Sequence, residues 1–191
     1  MKLKVLTDNY TYIDQYYLGE PGLSIYIEAD GRRFLLDTGY SDVFLRNAAK
    51  MQINLKALDG IIFSHGHNDH TAGLPYLLAE DGLPKQTIIS HPLCFAPKRA
   101  EGLDIGSPLS QEKLTSCCTL KLSAEPIHLT EHLVFLGQIP RIIPFEKNVI
   151  GETFVDGNWV PDSVLDDTAL VWQGKEGLFI VTGCSHSGIC N

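Results

Sequence analysis

Apolar and polar positions alternate along the chain in a way that predicts β-strands separated by short helices. In LSIYIEADGRRFLLDTG, residues 23–39, two apolar runs flank Asp30-Gly31, a dipeptide typical of tight hairpin turns. Apolar residues recur with helical spacing at 42–51, where Ser41 is the candidate N-cap, and the apolar run at 61–63 predicts a short buried strand. The first third of the chain therefore predicts a hairpin, a helix and a strand.

Helix and strand patterns continue to alternate up to residue 125, and strand patterns dominate after it. TAGLPYLLAE at 71–80 predicts a helix capped by Thr71, TIIS at 87–90 predicts a strand, and SQEKL at 110–114 is a short helical pattern. Three later segments predict strands, at 132–137, 169–173 and 178–183. This order predicts an α/β fold of two stacked sheets with helices outside, a four-layer αβ/βα sandwich in a single domain, 1–191, with few helices in its second half.

Composition narrows the class of protein. A chain of 191 residues, 44% hydrophobic and 20% charged, is long enough for one soluble domain with its own core. Its net charge of −8, without a basic stripe, argues against nucleic acid as a partner. We expect a cytoplasmic protein with no membrane partner, because no signal-like or membrane-spanning apolar run is visible and the five cysteines form no disulfide framework.

The residues best suited to bind a metal lie together in SHGHNDH, residues 64–70. Three of the seven histidines and one aspartate are found there, between the strand at 61–63 and a helix. Imidazole and carboxylate are donors that divalent metals prefer, and residues two apart in an extended segment point the same way, so His65 and His67 can share one ion. A turn at Asn68 would let Asp69 and His70 face a second ion, roughly 3.5–4 Å from the first. The alternative is a solvated histidine-rich loop without metal.

These residues carry a resemblance to a known family. The sequence HGHNDH after a buried strand resembles the HxHxDH signature of the metallo-β-lactamase superfamily, and DTG at 37–39 resembles its buried aspartate that supports the metal loop. GQIPR at 137–141 and VTGCSHSGICN at 181–191 extend the resemblance to the dihydropterin-ribofuranosylaminobenzene-phosphate synthase-like group of metal-dependent hydrolases. The resemblance implies a metallo-β-lactamase-type fold with two divalent ions. Histidine and aspartate suit zinc, iron and manganese, and a cysteine ligand shifts the preference towards zinc, so we expect zinc first.

The resemblance also implies roles for individual residues. The expected metal ligands are His65, His67, Asp69, His70, Cys184, His186 and His91. The expected catalytic residues are Asp69, which would orient the attacking water, and Asp37, which would support the ligands. For Cys184 the alternative is an inert buried cysteine, for His186 a substrate contact, and for His91 a substrate contact or a structural His-Pro turn.

Two basic positions are candidates for binding an anionic substrate. Arg141 follows a proline in GQIPR and can contact an anion through two parallel hydrogen bonds, with a surface salt bridge as the alternative. Lys98-Arg99 is the second candidate, with a solvated charge pair as the alternative.

The function implied is a metal-dependent hydrolase that uses a metal-bound hydroxide on a small anionic phosphoester, ester or lactone. A pterin-linked synthase or transferase is the alternative. A further alternative is a catalytically impaired metal-binding fragment, because members of the superfamily place a last histidine ligand beyond the GCSH position and this sequence ends at Asn191. We therefore expect a fold that is truncated at the C-terminus, to which a homo-oligomer or a completing chain would add the missing wall.

Overall fold

Three β-sheets and four short α-helices form the part of the chain that the computed structural model describes, residues 1–146 and 148–191. The strands are β1 (Lys2–Thr7), β2 (Ser24–Ala29), β3 (Arg32–Leu36), β4 (Gly60–Ile62), β5 (Thr87–Ser90), β6 (Lys98–Ala100), β7 (Leu103–Asp104), β8 (Thr119–Leu122), β9 (Ile127–His128), β10 (Leu133–Phe135), β11 (Glu152–Val155), β12 (Asn158–Pro161), β13 (Ala169–Gly174) and β14 (Gly177–Thr182). The helices are α1 (Val43–Lys50), α2 (Asn68–Thr71), α3 (Leu74–Leu78) and α4 (Gln111–Cys117). Single 3₁₀ turns occupy Leu55–Ala57 and Pro144–Glu146.

The largest sheet has the strand order β1-β2-β3-β4-β5-β8. Strands β1 to β3 are antiparallel, and β3, β4, β5 and β8 run parallel. The predicted hairpin is confirmed, with Asp30 and Gly31 both at positive φ in the β2–β3 turn. Strand β1 was not predicted, because only Leu6 and Thr7 in it are buried and its apolar alternation is weak.

Two hydrophobic cores lie on opposite faces of this sheet. Ile61 and Phe63 pack with residues of α1, α3 and α4 on one face. Ile62 points to the other face, where it packs with Leu133 and Phe135 of the second sheet, whose order is β14-β13-β10-β9. Burial on both faces explains why the sequence around β4 is continuously apolar rather than alternating.

The layers follow the predicted α/β arrangement. The helices that contribute to a core cover one face of the large sheet, and the second sheet covers the other face. Within residues 1–146 and 148–191, no α-helix begins after α4, so the prediction of few helices in the second half is confirmed. Of the four predicted layers, the helices, the large sheet and the second sheet are described. No helix in the described ranges is long and apolar enough to span a bilayer.

Two helices begin at residues other than those predicted. Helix α1 begins at Val43 rather than directly after Ser41, although the Ser41 hydroxyl still accepts a hydrogen bond from Val43 N at 3.3 Å. The prediction that Thr71 caps the next helix was wrong. The chain already turns into α2 after His67, and the Thr71 hydroxyl instead donates to His67 O at 2.9 Å, one turn back.

Candidate metal centre

The histidine-rich segment 64–70, called the metal loop below, leaves the carboxyl end of the large sheet. Asp37 follows β3, Ser64 follows β4 by two residues, and His91 follows β5. Because these strands are parallel, the residues that follow them meet at one edge of the sheet, which is where ligand sites form in α/β proteins. The fold thus brings residues from three strand ends to the metal loop.

Asp37 fixes the metal loop from below. Its side chain is fully buried, and Oδ1 accepts from Ser64 N at 2.7 Å. Its Oδ2 accepts from the Ser64 hydroxyl at 2.6 Å and lies 2.7 Å from His70 Nδ1. Asp37 also has a positive φ of 57°, a conformation that costs energy for residues other than glycine and persists where surrounding contacts hold it. This geometry is compatible with the predicted supporting role of Asp37, which stays a prediction.

A first group of possible metal donors consists of His65, His67 and His186, whose ring nitrogens converge within 4.8 Å. Ser64 donates its hydroxyl proton to Asp37, so its oxygen can accept from His65 Nδ1, 3.0 Å away. That hydrogen bond leaves the His65 Nε2 lone pair free, 3.0 Å from His67 Nδ1. Second-shell hydrogen bonds of this kind select the tautomer in which a histidine can bind a metal.

The protonation states of these rings suit metal binding. Burial, reinforced by the charges of neighbouring histidines, holds the pKa of His65 well below its usual range. Burial, with the charges of His186 and Lys98, lowers the pKa of His67 to about 4. Both rings are therefore neutral at neutral pH, which is the form that coordinates metals. His186 Nε2 is also buried without a hydrogen-bond partner among the described residues, as expected of an atom available to an ion.

A second group consists of His65, His70 and Cys184. His70 Nε2 lies 3.1 Å from Cys184 Sγ and 3.3 Å from Asp69 Oδ2, which adds a carboxylate to this side. Hydrogen bonds with His186 and His70 lower the pKa of the Cys184 thiol and outweigh its partial desolvation, which raises the pKa. The lowered pKa favours the thiolate. Burial disfavours a charge on His70, but the Asp37 carboxylate outweighs burial and raises the pKa of His70 to about 12 in the absence of an ion.

Gly183 allows the end of β14 to approach the metal loop. A Cβ at Gly183 would lie 2.2 Å from Ser64 Oγ, so any other residue would push the two segments apart. This close approach places Cys184 beside His70. Ser185 then turns the chain with a φ of 55°, and His186 returns to the first group. Cys184 is exposed, so the buried position considered for it in the alternative is wrong, and its role as a ligand stays a prediction.

Comparison with known proteins identifies the family. Residues 18–114 match the family model described as the metallo-beta-lactamase superfamily. The chain is also 33% identical over 190 residues to an uncharacterized protein of Methanocaldococcus jannaschii. This match spans 99% of the chain and 71% of that protein. The chain belongs to the metallo-beta-lactamase superfamily. This superfamily is metal-dependent, and the described residues contain histidine and cysteine groups that can hold ions.

Two further relatives within the superfamily are informative. A protein of the same organism, named 7,8-dihydropterin-6-methyl-4-(beta-D-ribofuranosyl)-aminobenzene-5'-phosphate synthase, is 33% identical over 205 residues, spanning 99% of this chain and 69% of that protein. The crystal structure of Tm1679, described as a metal-dependent hydrolase of the beta-lactamase superfamily, matches with a TM-score of 0.81 and 29% identity, spanning 98% of this chain and 67% of that one. The resemblance seen in the sequence is confirmed.

Most of the predicted site residues lie together in the two donor groups or beside them, but His91 and Arg141 have other contacts. His91 lies in neither donor group of the described structure, and its Nδ1 accepts from Leu93 N at 3.1 Å, as in the structural His-Pro turn considered above. Arg141 donates to the carbonyl oxygens of His186 at 3.1 Å and Val164 at 2.6 Å. Its guanidinium therefore holds the backbone beside the first donor group, and the predicted contact with a substrate anion stays a prediction.

A buried ionic cluster behind the metal loop was missed. Lys98 is only 2% exposed, and its Nζ donates to Asp162 Oδ2 and Asp166 Oδ1, both at 2.9 Å. Both expectations for Lys98, a substrate contact and a solvated pair with Arg99, are therefore wrong. Arg99 instead pairs with Glu152. The only signal in the sequence was the density of aspartates in PDSVLDDT, at 161–168.

Replacing Gly66 with alanine is expected to displace the metal loop. A Cβ at this position would lie 1.8 Å from Cys94 O, which is backbone and cannot rotate away. We expect the free energy of unfolding to fall by about 1–3 kcal/mol or more, with weaker metal binding. Urea denaturation and zinc titration measure the two effects. Gly174→Ala is the control, because its Cβ would meet nothing closer than Trp172 Nε1 at 3.3 Å. Equal behaviour of the two variants would contradict the prediction.

Proposed function

We propose that this chain is a metal-dependent hydrolase that acts on a small phosphoester, ester or lactone and holds two divalent cations. The observation that carries the proposal is the pair of donor groups around His65, together with the Nε2 atom of His186, which is buried without a hydrogen-bond partner among the described residues. Membership of a metal-dependent superfamily supports it. A cytoplasmic location, proposed with it, is supported by five unpaired thiols, which a reducing compartment preserves.

The donor set fits zinc best. His65, His67 and His186 would hold the first ion, and His70, Cys184 and Asp69 would face the second. Imidazole, thiolate and carboxylate are all common zinc ligands, and a thiolate shifts the preference from manganese towards zinc. When bound, such ions supply Lewis acidity and lower the pKa of water towards neutrality.

The chain's own residues would orient the reaction. Burial opposes ionisation of Asp69, but the hydrogen bond and charge of His70 outweigh burial and lower the pKa of Asp69. Its carboxylate is therefore charged at neutral pH, and with 30% of its side chain exposed it can accept a hydrogen bond from an attacking water. Asp37 has no access to substrate, and its role would be to hold His70 and Ser64 in place.

A pterin-linked synthase is the second candidate. It is supported by the 33% identity to the protein named as a dihydropterin-ribofuranosylaminobenzene-phosphate synthase. The same donor groups would serve either reaction, so the site geometry favours neither. The two candidates differ in product, since one releases a hydrolysed fragment and the other forms the pterin-linked phosphate that gives the relative its name.

The test is elemental analysis of the purified chain beside His67→Ala, followed by substrate assays. We expect two zinc ions in the wild type and loss of the first in the variant. His128→Ala is the matched control, because His128 is exposed and lies in neither donor group. Hydrolysis of phosphoester, ester or lactone substrates by the loaded chain supports the hydrolase, and pterin condensation without hydrolysis supports the synthase. Absence of bound metal, or equal loss in both variants, refutes the metal site.

A further inference from the structure

A buried carboxylate outside both donor groups holds the backbone at the centre of the metal loop. Asp166 is 1% exposed, and its Oδ2 accepts from Gly66 N at 2.7 Å. Gly66 lies between His65 and His67, so this hydrogen bond fixes the peptide from which two rings of the first donor group project. On another side the loop is confined by Cys94 O, against which a Cβ at Gly66 would collide.

We infer that Asp166 is a positioning residue for the first donor group, acting through Gly66 N–H and held in place by Lys98. The inference rests on the metal site of the proposed function and goes beyond it by assigning a task to a residue that would touch neither ion nor substrate. Asp37 and Asp166 then bracket His65, since Asp37 takes the amide of Ser64 and Asp166 takes the amide of Gly66.

Lys98 sets the orientation of Asp166. Its Nζ lies 2.9 Å from Asp166 Oδ1, so both oxygens of Asp166 are engaged, one by the lysine and one by Gly66. Asp162 contacts the same lysine at 2.9 Å but directs its other oxygen to Val164 N at 2.7 Å. The two aspartates thus share one partner and comparable burial, and only Asp166 hydrogen-bonds to the metal loop.

The segment 162–168 also contacts the other side of the first donor group. Thr168 N donates to Ser64 O at 2.9 Å, and Asp167 Oδ2 accepts from Ser187 N at 2.8 Å, next to His186. Val164 in this segment is fully buried with a φ of 52°, an unfavourable conformation for a β-branched residue. A strained, buried segment that contacts both halves of a site is typical of a structure that positions functional groups.

The chemistry of Asp166 predicts what an isosteric change does. A carboxylate can accept from Lys98 and Gly66 at once, but an amide has one oxygen. The charged lysine forms the stronger hydrogen bond and takes that oxygen. In Asp166→Asn the amide nitrogen would therefore face Gly66 N, donor against donor, and Gly66 N would be left buried without an acceptor.

The experiment compares Asp166→Asn with Asp162→Asn. Each apoprotein is titrated with Zn²⁺ against a chromophoric chelator, the Co²⁺-loaded forms are compared by visible absorption, and stability is followed in urea. We expect Asp166→Asn to weaken binding of the ion at the first donor group about 10–100-fold and to change the Co²⁺ spectrum. Asp162→Asn should lose stability to a similar degree and keep wild-type zinc affinity.

A triple variant, Lys98→Met with Asp162→Asn and Asp166→Asn, separates positioning from folding. It leaves no unpaired charge in the cluster, and the amide oxygen at position 166 is free to accept from Gly66 N again. We expect zinc affinity to return towards the wild-type value. If Asp166→Asn does not fold, the triple variant decides, since weak binding by a folded triple variant overturns the inference.

The remaining outcomes are also decisive. Unchanged zinc affinity in folded Asp166→Asn, or equal weakening in Asp166→Asn and Asp162→Asn, overturns the positioning role while leaving the proposed function intact. Failure of the wild type to bind Zn²⁺ overturns both. Weakening that is confined to Asp166→Asn, with recovery in the triple variant, supports the inference.

Discussion

Replacing His65 with alanine is expected to remove the first metal ion and to leave the second in place. The one free lone pair of His65, on Nε2, faces His67, whereas the second ion would keep His70, Cys184 and Asp69. We therefore expect one ion in His65→Ala and no ion when Cys184 is also replaced with alanine, as measured by elemental analysis after dialysis. Loss of the first ion removes several kcal/mol of transition-state stabilisation, so the rate on a substrate found by screening should fall by about 10³-fold or more.

A histidine outside the site provides the control for this prediction. His132→Ala serves as a control histidine, because its ring contacts Asp30 at the opposite end of the β2–β3 hairpin and lies in neither donor group. Loss of both ions from His65→Ala would show that the second ion also depends on His65, and the assignment of separate ligands to the two ions would then be wrong.

Asp37→Ala is expected to have the largest effect on stability. The substitution leaves Ser64 N, the Ser64 hydroxyl and His70 Nδ1 without their acceptor, in a place with no access to solvent. Removing one partner of a buried ionic pair typically costs 3–5 kcal/mol, so we expect a fall of about 3–5 kcal/mol in the free energy of unfolding. Asp37→Asn keeps one acceptor oxygen and should lose less.

Urea denaturation in the presence of a chelator measures this effect without a contribution from lost metal. Asp42→Ala is the control, since Asp42 forms an exposed ion pair with Arg46 at 3.1 Å, and such pairs contribute about 0–1 kcal/mol. A loss in Asp37→Ala no larger than in Asp42→Ala would mean that water or a rearranged serine replaces the carboxylate.

The sequence predicts those parts of the site that are local. The four donors from His65 to His70 lie within six consecutive positions after an apolar run, so both their chemistry and their placement at a strand end could be inferred. The hairpin at Asp30-Gly31 and the strands from Ala169 to Thr182 were predictable for the same reason, because turn residues and apolar runs act over short distances. Ligand roles remain predictions until an ion is measured.

The parts that the sequence did not predict depend on contacts between distant segments. Lys98 beside Arg99 has the pattern of a surface charge pair, and its burial becomes favourable only with Asp162 and Asp166, which lie 64 and 68 residues away. Thr71 is a residue type that favours helix caps, but the chain already enters α2 after His67, three residues before Thr71. Cys184 was reached through the family resemblance, since no local pattern links it to His70.

The spacing of these contacts along the chain sets the order in which the centre can assemble. His70 is 33 residues from Asp37, Gly66 is 100 residues from Asp166, and His70 is 114 residues from Cys184. Closing long loops costs conformational entropy that only later contacts offset, so long-range pairings tend to form slowly. During synthesis from the N-terminus, the metal loop and Asp37 emerge well before Asp166 and Cys184. High-affinity ion capture is therefore expected as a late event, after the distant segments have docked, and zinc uptake would report on completed folding rather than initiate it.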